Sequence, residues 1–95
     1  MSFTVMLSPD VRKYLDGLDA KRVKNIKKHL KELEDDPFKP RSTCDIDVIE
    51  GSGIPLMYRL RMGNFRAVYF VDEAERAVYV TDLFPKKRDS AYGQN

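Results

Sequence analysis

A chain of 95 residues, 42% hydrophobic, with 17 basic and 15 acidic side chains and a net charge of +2, has room for a single core. A domain of this size buries roughly 60–70% of the surface its unfolded form exposes. The composition excludes a disordered chain, and the near balance of charge makes clustering, rather than total charge, the test for a polyanionic partner. Cys44 and His29 are each the sole residue of their type, which excludes an intrachain disulfide and a zinc set built from cysteine and histidine. No apolar run approaches the roughly 18 residues of a membrane span, and the first residues lack a leader pattern. The expectation is a cytoplasmic protein that needs no cofactor or metal and does not engage a membrane.

In chain order, Phe3-Thr4-Val5-Met6-Leu7 alternates as a short first strand. Ser8-Pro9-Asp10 then supplies a helix cap, a first-turn proline and a first-turn acid. Val11, Tyr14, Leu15 and Leu18 form the apolar side of that helix until Gly17 and Asp19 interrupt it. Val23, Ile26, Leu30 and Leu33 repeat at helical spacing in a longer second helix, stopped at Asp35-Asp36-Pro37. The two helices are expected to form an antiparallel pair. Residues 38–53 read as irregular chain marked by Pro40, Gly51 and Gly53, with Cys44-Asp45-Ile46-Asp47-Val48-Ile49 a candidate edge strand. Strands are predicted over 56–62, 65–71 and 77–83. The fold class is α+β: a single domain over 1–95, with two N-terminal helices on one face of a small, mostly antiparallel sheet in the order β-α-α-β-β-β, plus the candidate edge strand.

Gly63-Asn64 is a two-residue hairpin turn. It pairs Met62 with Phe65, Arg61 with Arg66, Leu60 with Ala67, Arg59 with Val68 and Tyr58 with Tyr69. Alternation then puts Tyr58, Leu60, Met62, Phe65, Ala67 and Tyr69 on one face and Arg59, Arg61 and Arg66 on the other. Like charges directly opposed on a sheet repel, so an anion would relieve the pair Arg61 and Arg66, and arginine forks match phosphate oxygens. RNA is the natural candidate. On this reading Arg66 lies on a polar face where truncation spares the fold. The competing reading is a solvated face with its side chains splayed apart.

Phe84-Pro85-Lys86-Lys87-Arg88-Asp89-Ser90-Ala91-Tyr92 carries consecutive cations and then a tyrosine. Taken with Tyr58 to Tyr69, and with Asp36-Pro37 after the second helix, this tail resembles the terminal basic-plus-tyrosine element of the RelE branch of the RelE/ParE toxin superfamily. The resemblance spans nearly the whole chain. It implies a toxin paired with a RelB-like antitoxin, cleaving mRNA on the ribosome. It further implies that Arg61, Arg66, Lys87, Arg88 and Tyr92 carry catalysis and that Arg59 and Lys86 bind RNA. The best-known nucleolytic member of that branch has lysines where this chain has Arg59 and Arg61. Arginine does not release its proton near neutrality, so proton transfer shifts to Tyr92 or a tail lysine.

Cleavage by attack of a 2′-hydroxyl on the adjacent phosphate needs a base, charge stabilisation on the phosphorane and an acid at the leaving oxygen, and it needs no metal. Arg61 and Arg66 would hold the scissile phosphate, Arg59 an adjacent one, Lys87 or Arg88 the leaving group, and Tyr92 would act as base or stack on a base. Lys24 and Lys28 belong to a second basic zone on the long helix, read either as contact with RNA backbone or as the solvated side of an amphipathic helix. Two other functions are open on the same fold: a ParE-like inhibitor of DNA gyrase without nuclease chemistry, and a degenerate member that binds RNA without cutting.

Overall fold

Ser8 opens the first helix as the sequence predicts. Its Oγ accepts the Val11 N–H at 3.2 Å and donates to the Thr81 carbonyl at 3.2 Å, so the cap also ties the helix to the sheet. The computed structural model describes residues 2–91, and Tyr92 lies outside the described residues. In chain order it contains β1 (Thr4–Leu7), α1 (Pro9–Asp16), α2 (Ala20–Lys31), β2 (Asp45–Val48), β3 (Tyr58–Met62), β4 (Phe65–Asp72) and β5 (Ala77–Pro85), with short 3₁₀ segments at Glu32–Glu34 and Lys86–Ala91. The candidate edge strand exists as β2. No helix among the described residues is long and apolar enough to cross a membrane.

Asp19 caps α2 by accepting the Arg22 N–H at 2.9 Å. The helix buries Ile26 and Leu30, and Leu33 follows them into the core from the 3₁₀ turn. Both helices contribute to one hydrophobic cluster with Ile46, Leu60, Met62, Ala67, Tyr69, Val78, Val80 and Leu83 of the sheet. Phe38, from the stretch that read as irregular chain, packs edge-on between Phe3 and Tyr58. Tyr69 is fully buried, and its hydroxyl donates to the Pro37 carbonyl at 2.7 Å, which joins β4 to the segment that ends the helical layer. Burial pushes that hydroxyl well above the ordinary tyrosine range.

The sheet runs β1-β5-β4-β3-β2, with β1 parallel to β5 and every other pair antiparallel. The β3–β4 register is the one the turn predicts, from Met62 opposite Phe65 to Tyr58 opposite Tyr69. The rings of that last pair stack at 5.4 Å. Gly63 carries the positive φ of the turn, +62°, as the first central residue of a II′ hairpin requires.

Strand β5 continues past the predicted end at 83 as far as Pro85, with Phe84 opposite Arg66 and Pro85 opposite Phe65, and its pairing with β4 is irregular. Val68 faces Asp82 but the next residue, Tyr69, faces Val80, leaving Thr81 as the extra residue. Strict alternation from Val78 and Val80 would send Leu83 to the outer face. The bulge returns it to the core and aims Asp82 and Phe84 at the face that bears the arginines.

Candidate functional site

The outer face of the sheet carries rows of side chains set by register. One row runs Asp47, Arg59, Val68, Asp82; its neighbour runs Asp45, Arg61, Arg66, Phe84. Arg61 and Arg66 are therefore directly opposed, as the sequence predicts. What relieves them is internal. Asp47 receives Arg59 through Nε to Oδ1 at 3.2 Å and Nη2 to Oδ2 at 2.9 Å. The same carboxylate receives Arg61 through Nη1 at 3.2 Å and Nη2 at 3.4 Å. Asp45 lies 3.5 Å from Arg61 Nη1. The relief expected from an external anion is supplied in the fold by the aspartates of β2. Partial burial alone would raise the Asp47 carboxyl, but the hydrogen bonds and charges of Arg59 and Arg61 hold it below its ordinary value.

Arg66 also differs from the expectation of an open polar face. It is 7% exposed, and its Nη1 donates to the carbonyls of Gly63 and Phe65, each at 2.9 Å. The guanidinium grips the backbone of the hairpin tip from the arginine side. Lys86 closes on the same tip, its backbone N–H donating to the Asn64 carbonyl at 2.7 Å.

Several lysines gather around this tip. An open groove of about 760 Å³ separates α2 from the turn, with Lys21, Lys24, Asn25 and Lys28 on one side and Gly63 and Asn64 on the other. A second groove of about 470 Å³ lies between Asn64 and Pro85, Lys86 and Lys87. Asn64 lines both. Lys24 and Lys28 thus sit on the helix side of the tip and Lys86 and Lys87 on its other side, while Arg88 is exposed on the 3₁₀ segment. The fold brings Arg59, Arg61 and Arg66 together on one face and arrays the lysines along an arc across the turn. His29 lies on α2 with Nδ1 2.9 Å from the Asn25 carbonyl, away from the arginine face. Cys44 is buried, and burial raises its thiol above the ordinary range, so the thiolate is disfavoured.

Asp45 and Asp47 are the site residues that the sequence reading missed. Their signal is the alternation Asp45-Ile46-Asp47-Val48: once Ile46 is placed in the core, both carboxylates must share the outer face with Arg59 and Arg61.

Comparison with known proteins places the chain by family and fold. The family described as "Phage derived protein Gp49-like (DUF891)" matches residues 13–95. A protein of Methanocaldococcus jannaschii named "Putative toxin RelE1" is 30% identical over 92 residues, covering 97% of each chain. A chain in the archaeal RelE–RelB complex of Pyrococcus horikoshii superposes with a TM-score of 0.77 at 28% identity, over 93% of this chain and 99% of that one. The isolated RelE toxin of E. coli shares the fold with a TM-score of 0.67 at 19% identity, over 88% of this chain and 84% of that one. The chain belongs to the Gp49-like phage-derived family and, with it, to the RelE-like toxin superfamily.

Proposed function

We propose that the protein is the toxin of a toxin–antitoxin pair and acts as an endoribonuclease on ribosome-bound mRNA in the cytoplasm, held inactive by a RelB-like antitoxin. The observation that carries this reading is the arginine row, Arg59, Arg61 and Arg66, set beside a hairpin tip flanked by Lys24, Lys28, Lys86 and Lys87. Support for the partner comes from the archaeal structural relative, which is a RelE–RelB complex.

In the proposed reaction Arg61 and Arg66 hold the scissile phosphate and neutralise the phosphorane, while Arg59 holds a neighbouring phosphate. Lys87 or Arg88 stabilises the departing 5′-oxygen. Tyr92 accepts the 2′-hydroxyl proton or stacks on a base. The lysines of α2, with Lys86, track the RNA backbone by charge alone. None of these groups titrates near neutrality when unperturbed, so the free protein would be a modest catalyst. The ribosome supplies the alignment of the 2′-hydroxyl with the phosphate, a contribution worth several kcal/mol.

Purified protein is incubated with translating ribosomes and the message is mapped by primer extension. In parallel, the protein is added to gyrase and relaxed DNA. Cleavage within ribosome-bound codons, absent from naked mRNA and from the gyrase assay, is the expected result. Inhibition of supercoiling without RNA cleavage would replace this reading with a gyrase inhibitor. Capture of RNA without cleavage would favour the degenerate binding member, a reading that gains weight from Asp47 occupying two of the three arginines.

A further inference from the structure

Asp47 fills the fork between Arg59 and Arg61. It presents two oxygens to two guanidinium groups, Oδ1 to Arg59 Nε and Arg61 Nη1 and Oδ2 to Arg59 Nη2 and Arg61 Nη2, at 2.9–3.4 Å. Two of the oxygens of a phosphate diester could meet the same forks. The cluster is reachable: the Asp47 side chain is 38% exposed and that of Arg61 33%, while Arg59 lies deeper at 14%. Asp47 stands on β2, an edge strand held in register by Asp45 opposite Arg61 and Asp47 opposite Arg59, so its carboxylate is tethered to the arginines rather than merely near them.

Tethering decides which anions can compete. An intramolecular carboxylate acts at an effective concentration in the millimolar range or above, whereas a free monoanion must displace it from solution with no other foothold. A chain of phosphates has other footholds. While one phosphate exchanges with Asp47, its neighbours can rest on Lys86 and Lys87 or on the lysines of α2, and that multivalency offsets the exchange. Because both forks close on one carboxylate, a single phosphate of the chain takes its place while the neighbouring phosphates reach the lysines.

We propose that Asp47 is a specificity-determining residue: by filling the Arg59–Arg61 fork it excludes isolated phosphate groups and leaves the arginine row open only to a contiguous single-stranded polyanion. The inference rests on the RNA-directed reading above. Asp47 acts through Arg59 and Arg61 and takes no part in bond making.

The test compares two probes, inorganic phosphate and a short single-stranded RNA made uncleavable with 2′-O-methyl groups, on the parent protein, Asp47→Asn and Asp47→Glu. The parent should bind the RNA and fail to bind phosphate at millimolar concentration. Asp47→Asn should gain affinity for phosphate by at least about tenfold, the equivalent of one charge-assisted competitor, which brings phosphate into the range the parent excludes, and should strengthen RNA binding by no more than the same factor. Asp47→Glu should restore exclusion, and Arg59→Ala in the Asn background should erase the gain. A parent that binds phosphate as well as Asp47→Asn does would overturn the inference while leaving the RNA reading standing. Failure of every protein to bind the RNA would overturn both. A readout on the unmodified protein guards against misfolding of the variants: the Arg59 ¹⁵Nε resonance should move on adding the RNA and stay in place with phosphate. A resonance that the RNA leaves unmoved would overturn the displacement of Asp47.

Discussion

Truncating Arg66 should damage both the fold and the chemistry, and the two losses can be separated. The side chain is 7% exposed, and its Nη1 satisfies the carbonyls of Gly63 and Phe65 at 2.9 Å each. A hydrogen bond from a charged donor contributes about 1.5–3 kcal/mol net, and both bonds come from one nitrogen, so they are counted as a single group. Relief of the opposed Arg61 returns little, on the order of a few tenths of a kcal/mol, because Asp45 and Asp47 already neutralise it. Arg66→Ala should therefore cost about 1–2.5 kcal/mol. In a domain of this size 1 kcal/mol corresponds to roughly 4–8 °C, so the melting temperature should fall by roughly 4–20 °C. Cleavage of ribosome-bound mRNA, assayed well below the lowered melting point, should fall by about 10²–10³ from the loss of one preorganised charge donor. Arg66→Met keeps most of the stem and none of the donors; it should melt above the Ala variant yet cleave as poorly. An Ala variant that melts with the parent would refute the grip on the turn. One that cleaves at the parental rate would remove Arg66 from the phosphate.

Tyr69→Phe removes the hydroxyl from a fully buried ring and strands the Pro37 carbonyl, so urea unfolding should show a loss of about 1–3 kcal/mol with an unchanged slope. The lowered Asp47 pKa makes the Arg59–Asp47–Arg61 cluster a pH-dependent support: its folded value lies below the unfolded one, so its stabilisation is present above the ordinary carboxylate range and is lost as pH falls through the folded value. The difference in urea midpoint between the parent and Asp47→Asn should accordingly be present at pH 6 and shrink on acidification, and a gap that widens with acid would contradict the ion-pair geometry. Removing Lys24 and Lys28 together, or Lys86 and Lys87 together, should make the slope of log K against log salt for single-stranded RNA shallower by about 0.7 per lost phosphate contact, measured by fluorescence anisotropy. A slope unchanged in one pair would take that side of the hairpin tip off the RNA path.

The parts of the fold that were legible are those where a local rule forces the outcome. Ser8-Pro9-Asp10 caps a helix because an oxygen at that spacing meets an orphan amide, and the Gly63-Asn64 turn fixes every pair from Met62–Phe65 to Tyr58–Tyr69 because register propagates two residues at a time. The length of β5 was not legible. Its bulge at Thr81 reverses the facing of every later residue, and no local signal distinguishes Thr81 from an ordinary outward threonine; only the packing of Leu83 against the core and Phe84 against the arginine face shows the shift. Phe38 was hidden for a related reason. It lies in a stretch without periodicity, and its burial depends on Phe3 and Tyr58, residues distant in sequence.

The candidate site divides along the same line. Arg59, Arg61 and Arg66 share a face because alternation along two paired strands demands it, and the sequence alone places them there. Their electrostatic state is set elsewhere, by β2, whose pairing partner is not encoded locally. An arginine row considered with its hairpin alone looks like an unfilled anion site; the same row with Asp45 and Asp47 in register is nearly neutral, with Asp47 bound to two forks at once. An anion that reaches these arginines must take a carboxylate's place rather than fill a gap. The free energy of recognition then depends on what the rest of the ligand can hold, which is why the lysines on either side of the Gly63-Asn64 tip bear on the choice of ligand as much as the arginines do.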